Sequence, residues 1–204
     1  MKIIGITGGT GCGKTTVLKY LAGLGAKVID CDALYHEMLN TDMAMLGDIE
    51  KRFPGIVENG SLDTKKLGAV VFKDSTGLED LSRITRTYIR EGVRSQILDE
   101  KSVGREILGI DAIQLIESGL GDFCHRIIGV IADSDVRLRR IMARDGISAE
   151  YAASRIASQK SNEYFIENCD MIIENNGDDM KLFEEECASM VSELLNGISK
   201  EEEL

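Results

Sequence analysis

The 204-residue chain is short of several things, and each shortage excludes something. Lysine and arginine number 24 against 35 aspartates and glutamates, a formal net charge of −11. A protein whose whole surface grips nucleic acid needs a basic face, so no nucleic-acid partner is expected. A small anionic ligand stays open, because a local basic pocket can sit on an acidic body. No apolar run approaches the roughly 20 residues of a membrane helix, so no membrane partner is expected either. The N-terminal MKIIGITGGT lacks a long apolar stretch followed by a small-residue cleavage site, which argues against a signal peptide. The cysteines (Cys12, Cys31, Cys124, Cys169, Cys187) are five and contain no C-x-x-C pair. They read as reduced thiols of a cytoplasmic protein, not as a disulfide framework or a zinc site. There is no internal repeat and no low-complexity linker. What remains is 43% apolar, enough for a real core, at a length that suits one domain carrying a smaller insert.

Lys2 to Thr7 is short and β-branched, as a buried strand should be. A glycine-rich turn, Gly8 to Gly13, leads into a helical pattern of Val17, Leu18, Leu21 and Leu24 that Gly25 closes. The strand Lys27 to Asp30 follows. This βαβ opening favours a parallel sheet with helices on its faces. Further strands are expected at Glu106–Asp111, Arg126–Ala132 and Asp170–Glu174. Between the second and third strands the chain reads as helical and is too long for one crossover, so an inserted helical subdomain is expected. Its single break runs from Phe53-Pro54-Gly55 to Gly60-Ser61 and holds the only proline. Another helical segment, Asp135 to Asn168, separates the last two strands. An amphipathic helix, Met180 to Leu195, is followed by a charged tail, Lys200 to Leu204, expected to fray.

Gly8-Gly9-Thr10-Gly11-Cys12-Gly13-Lys14-Thr15 matches G-x-x-x-x-G-K-[ST] and sits after a strand and before a helix, where its mechanism requires it. The glycines let backbone N–H groups turn towards phosphate oxygens, the helix N-terminus adds its positive dipole end, and Lys14 adds a charge at the β- and γ-phosphates. The Thr15 hydroxyl is then placed to ligate Mg²⁺. A dinucleotide fingerprint needs G-x-G-x-x-G, and starting from Gly9 or Gly11 the third glycine is missing. Asp30 and Asp32 lie where a ribose-binding acid would be, but Lys14 and Thr15 decide for a nucleoside triphosphate.

No N-K-x-D motif marks a GTP switch. Instead the second strand ends in Val28-Ile29-Asp30-Cys31-Asp32. With the C-terminal edges of strands one and two expected side by side, Asp32 would face the γ-phosphate and accept or orient the proton of an attacking hydroxyl. The alternative is that Asp32 merely caps the next helix. Cys12, beside a helix N-terminus and a lysine, is expected to have a lowered pKa, against the alternative of a buried, inert thiol.

The segments GITGGTGCGKTT, VIDCDALYHEML, GSLDTKKLGAVVF, ARDGISAEYAASRIASQ and CDMIIENNG resemble, in that order, the dephospho-coenzyme A kinases. The resemblance runs from about Met1 to Gly177. It implies an α/β P-loop NTPase three-layer sandwich, a five-stranded parallel sheet with a helical substrate-binding insert and a lid. The nucleotide-binding core would comprise residues 1–32, 104–134 and 169–204, the helical CoA domain residues 33–103, and the lid residues 135–168. The implied activity is ATP-dependent phosphorylation of the ribose 3′-hydroxyl of dephospho-CoA, the last step of CoA biosynthesis, with Mg²⁺ as cofactor. Alternatives are another small P-loop kinase acting on a nucleoside monophosphate or metabolite, or a non-catalytic nucleotide-binding module.

Carried onto this sequence, the resemblance puts Asp32 at the family's catalytic acid, beside Lys14 of the loop. ATP would be held by Gly9, Thr10, Gly11, Cys12, Gly13, Lys14, Thr15 and Thr16, with Arg140, Arg144 and Asn175 added from beyond the loop. Asn175 would lie near the adenine edge. The acceptor would meet Asp32, His36, Arg86, Arg90 and Glu117. Three stretches depart from the family: Arg86-Thr87-Tyr88-Ile89-Arg90 replaces its H-P-x-I-R, Ile113-Gln114-Leu115-Ile116-Glu117 replaces P-L-L-x-E, and His36 replaces an arginine. They fall at the expected substrate cleft.

Between Arg137 and Lys160 six basic residues face two acidic ones, a local positive concentration suited to a lid over polyphosphate. Arg140 and Arg144, at i and i+4, are the better ATP candidates, while Arg137 and Arg139 read as a solvated face. Arg83, Arg86, Arg90 and Arg94 form one helical stripe that either holds a pyrophosphate or pairs with Glu79 and Glu91. Asp111 ends a strand where a water-bridged magnesium carboxylate often stands. His125 reads as a surface residue, and the methionines as core filling.

Overall fold

The computed structural model describes residues 1–58, 60–71 and 75–202. The chain opens β1 (Lys2–Thr7), α1 (Lys14–Gly23), β2 (Lys27–Asp30), α2 (Cys31–Thr41) and α3 (Met43–Arg52). A small hairpin, β3 (Val57–Glu58) and β4 (Ser61–Leu62), precedes α4 (Thr64–Val71) and the long α5 (Ser75–Ser102). Then follow β5 (Ile107–Asp111), a 3₁₀ turn (Leu120–Phe123), β6 (Arg126–Ile131), α6 (Ser134–Asp145), α7 (Ala149–Ala157), α8 (Asn162–Asn168), β7 (Met171–Glu174) and α9 (Met180–Glu202).

The five strands read from the sequence build one parallel sheet flanked by helices, in the order β2-β5-β1-β6-β7. The order corrects one expectation: β1 and β2 are not side by side, because β5 lies between them. Burial explains the placement. Leu108 and Ile110 of β5 are fully buried, as a strand covered on both faces needs. Of β2 only Ile29 is buried, with exposed Lys27 and Asp30 at its ends, a pattern that suits a sheet edge.

Three further differences are local. The break at Pro54 holds the β3–β4 hairpin, in which Val57 faces Leu62. Glu50 organises its entrance by accepting hydrogen bonds from the N–H groups of Gly55, Ile56 and Val57. The segment expected as one helical stretch from Asp135 to Asn168 is three helices. Gly146 ends α6 in the left-handed region (φ 65°), and Ser148 and Ser161 cap the next two by accepting from Tyr151 and Tyr164 N–H. Helix α9 continues past Leu195 to Glu202, into the tail expected to fray.

The chain divides into two compact units, Met1–Ile29 with Asp99–Leu204, and Asp30–Leu98. Residues 135–168 lie within the first. The core of that unit is the sheet and the helices on it: Ile4 and Ile6 of β1, Ile128 and Val130 of β6, Val17 and Leu21 of α1, Phe183 and Val191 of α9. The second unit has its own core of Leu39, Met45, Ile49, Phe53, Ile56, Leu67 and Val71. Among the described residues, no helix is long and apolar enough to cross a membrane.

Candidate active site

The loop from Gly8 to Gly13 leaves the C-terminal end of β1 and enters α1. Gly8, Gly11 and Gly13 have φ of 134°, 84° and 104°, values that L side chains rarely adopt. Space forbids side chains here as well: a Cβ on Gly8 would strike the Val130 carbonyl of β6, and one on Gly13 the Asn175 amide. Gly13 is the N-cap of α1 and brings no side chain to it, so no capping side chain competes with an anion at the start of the helix. Lys14 Nζ donates to the Gly8 carbonyl at 2.8 Å, which folds its ammonium back over the loop. Thr15 is exposed, and its hydroxyl makes no hydrogen bond among the described residues. Thr16 closes the turn by donating its N–H to the Gly13 carbonyl.

Two arginines of α6 hold the loop from outside. Arg140 donates to the Asn175 carbonyl (2.9 Å), the Asn175 Oδ1 (3.2 Å) and the Gly177 carbonyl (2.8 Å). Asn175, 5% exposed, passes the contact on by donating from Nδ2 to the Cys12 carbonyl at 2.9 Å. One turn earlier, Arg137 donates to the Thr10 carbonyl (3.0 Å) and to Gln159 Oε1 (2.7 Å). Gln159 completes the knot, accepting from Thr10 N–H at 2.9 Å and donating to Thr10 Oγ1 at 2.8 Å. Holding the carbonyls of Thr10 and Cys12 on the packed side fixes the loop before any ligand arrives.

Several expectations change here. Arg137, read as solvated, is 3% exposed, because α6 turns Val136, Arg137 and Ile141 inward. Arg144 pairs instead with Asp145, as does Arg155. These two arginines, Arg144 foremost, lower the Asp145 carboxyl to about 2. Lys160 lies 4.8 Å from the Tyr164 ring centre, so most of the positive charge between Arg137 and Lys160 is already engaged. Asn175, expected at the adenine edge, has its carboxamide committed to Cys12 and Arg140. Cys12 takes the inert alternative: at 1% exposure, burial pushes its thiol up, outweighing the opposing charges of Arg137 and Lys14. Arg137 and Gln159 were not among the candidate site residues. Gln159 ends the segment ARDGISAEYAASRIASQ, whose resemblance to the family did not reveal its contact.

In the second unit, Asp30 settles what caps α2. Its Oδ1 accepts the Ala33 N–H at 2.9 Å, so the cap belongs to Asp30 and not to Asp32. Asp32 stands in the first turn, exposed, with no hydrogen bond or ion pair among the described residues. His36 is one turn further along and also exposed. Leu34 and Met38, on another face of α2, lie against Gly92 of α5 at the distance of close packing, which turns Asp32 and His36 outward. The arginine stripe of α5 divides. Arg83 pairs with Asp80 at 2.7 Å and Arg94 with Glu91 at 3.9 Å, while Arg86 and Arg90 are half-buried and the Arg86 Nε has no hydrogen bond among the described residues. In the first unit, Glu117 is half-buried after β5, with Oε2 unpaired among the described residues. Asp111 ends β5 opposite Ile6 of β1. His125 is exposed, as expected, and its Nδ1 accepts the Ile3 N–H at 2.9 Å.

Several known proteins similar to this chain belong to one family. The sequence pattern of the family described as dephospho-CoA kinase matches residues 2–181. A dephospho-CoA kinase of Fusobacterium nucleatum is 39% identical over 183 residues, covering 89% of this chain and 93% of the relative. A solved Thermus thermophilus structure superposes with a TM-score of 0.76 at 30% identity, over 95% of this chain and 97% of that one. A dephospho-CoA kinase structure from Campylobacter jejuni gives 0.69 at 26% identity, over 97% and 99%.

Proposed function

This chain belongs to the dephospho-CoA kinase family, and on that premise we propose that it transfers the γ-phosphoryl group of ATP to the ribose 3′-hydroxyl of dephospho-CoA, giving CoA and ADP. The observation that carries the phosphoryl-transfer half is the phosphate loop, fixed by Asn175, Arg137 and Gln159 with the first turn of α1 uncapped. Such a loop needs little reorganisation to receive polyphosphate. Lys14 neutralises charge on the β- and γ-oxygens, and the loop's backbone amides cradle them, those of Thr10, Cys12 and Thr16 excepted, which donate to Gln159, Gly9 and Gly13.

The acceptor half rests on Asp32, an exposed carboxylate that has no capping duty. In the transfer, the 3′-oxygen forms its bond to the γ-phosphorus as the β,γ-bridging bond breaks, and the hydroxyl proton passes to Asp32. His36, on the same face of α2, and Arg86 and Arg90 of α5 supply contacts to the acceptor, joined by Glu117. Arg140 and Asn175 serve the ATP side by holding the backbone of the loop. The uncommitted Thr15 hydroxyl is a hard oxygen donor that fits Mg²⁺, which takes few protein ligands alongside phosphate oxygens. Bound there, the ion supplies charge neutralisation at the transferring group. Five free cysteines favour the reducing cytoplasm as the site of action.

The test is mass spectrometry of an acceptor panel incubated with the protein, ATP and Mg²⁺. Dephospho-CoA should gain one phosphate in step with ADP release. Phosphorylation of a nucleoside monophosphate in its place would move the acceptor assignment. ADP release without any phosphorylated acceptor would refute the kinase reading.

A further inference from the structure

Several arginines have a carboxylate for company: Arg52 and Arg83 share Asp80, Arg144 and Arg155 share Asp145, and Arg105 meets Glu100. Arg137 is the most buried of these side chains and has none within ion-pair distance among the described residues. Its hydrogen-bond acceptors are neutral, the Thr10 carbonyl and Gln159 Oε1. A buried cation without a counter-charge is costly, and hydrogen bonds to neutral acceptors offset that cost only in part. The guanidinium lies directly against the phosphate loop: a Cβ on Gly9 would collide with it, and one on Gly11 would come within 3.1 Å of the Arg137 carbonyl. Its field reaches the loop, since it opposes the upward push of burial on the Cys12 thiol.

We propose that Arg137 is a positioning residue whose buried charge is balanced by the polyphosphate of the bound nucleotide, so that it strengthens triphosphate binding through the loop it braces. The inference rests on the ATP-site reading above. Gln159 supports it in a defined way. Its carboxamide oxygen takes one guanidinium N–H, and its amide anchors the Thr10 hydroxyl, so the cation is held in place without being neutralised. A carboxylate at that position would pair with Arg137 and remove the field that the phosphates are to feel. The charge acts on the bound nucleotide before and during transfer alike, so its loss should raise KM for ATP and leave kcat within a few-fold.

Two variants separate charge from bracing. Arg137→Lys keeps the cation and gives up the planar fork, whereas Arg137→Gln keeps hydrogen-bonding capacity and gives up the cation. Calorimetry with ATP, ADP and AMP should find Arg137→Lys within about threefold of wild type for ATP, and Arg137→Gln weaker by roughly 10- to 100-fold, the worth of one charge-assisted interaction. The loss should shrink from ATP to ADP to AMP. Unliganded Arg137→Gln should melt at or above the wild-type temperature, because an uncompensated buried charge has gone. Equal ATP affinity in Arg137→Gln and wild type would overturn the proposal. So would a loss independent of phosphate number, a Lys variant as weak as the Gln variant, or an Arg137→Gln protein that melts well below wild type or fails to fold. Wild-type protein that binds no ATP would sink the ATP-site reading itself, a result distinct from the others.

Discussion

Asp30 and Asp32 are two residues apart, and the structure gives them different work, which a paired substitution can expose. Asp30 accepts the Ala33 N–H at 2.9 Å and so satisfies one of the orphan donors at the start of α2. Replacing it with alanine removes that cap, at a cost of about 1 kcal/mol. For a chain of this size that lowers the melting temperature by about 2–4 °C. Asp32 lies in the first turn of the same helix and caps nothing, so Asp32→Asn loses only a favourable charge at the dipole's positive end, about 0.3–1 kcal/mol. If its carboxylate accepts the proton of the 3′-hydroxyl, the same change lowers kcat by roughly 10²- to 10⁴-fold. ATP affinity, measured separately by calorimetry, should hardly move, because Asp32 acts on the acceptor. The assay is thermal melting by circular dichroism run beside mass-spectrometric turnover of dephospho-CoA. The expected result is a crossing: Asp30→Ala less stable with chemistry largely intact, Asp32→Asn nearly as stable with chemistry lost. An Asn variant that turns over within about fivefold of wild type refutes the catalytic role, since general acid–base catalysis is worth far more than that. A larger melting loss for Asp32→Asn than for Asp30→Ala refutes the cap assignment.

Lys14→Ala should cut kcat by roughly 10²- to 10³-fold, as loss of one charge-stabilising group does, with an unchanged melting profile; near-normal turnover would count against the loop. Cys12, buried and with its thiol pushed up, should resist iodoacetamide in the native protein and react on unfolding, with or without ATP. Rapid native labelling that ATP blocks would contradict that burial. Asp145, held near 2 by Arg144 and Arg155, contributes stability above its ordinary value of 3.8 that is lost as the pH falls towards 2. The melting difference between wild type and Asp145→Asn should therefore be flat from neutral pH to about 4 and vanish below it; a difference that grows on acidification would contradict the pairing.

Much of the architecture is legible along the chain because it is local. Each sheet strand is a short β-branched run, and all five were readable to within a residue or two. The phosphate loop could be read because its chemistry depends on residue type and spacing along a contiguous stretch, and both the strand before it and the helix after it are local signals. The β3–β4 hairpin escaped notice because two-residue strands are too short for an alternating pattern, and its entrance is organised by Glu50 from the preceding helix.

What periodicity cannot give is which side of a helix meets the rest of the protein. Arg137, Arg140 and Arg144 recur at helical spacing on α6, yet one is buried, one binds backbone carbonyls and one pairs with its neighbour Asp145. The same limit hid the roles of Asn175 and Gln159, whose partners lie 163 and 149 residues away. It also hid the position of β5 between β1 and β2, since hydrogen bonding along a parallel sheet joins strands that are distant in sequence. The amino-acid sequence by itself determined the strands of the parallel sheet, the phosphate loop and the kind of ligand that loop accepts, because these follow from backbone freedom and side-chain chemistry over a few residues. Only the tertiary structure decided the strand order, the separation of the Asp30 cap from the free Asp32, and the burial of Arg137, because each depends on packing and hydrogen bonds made in three dimensions.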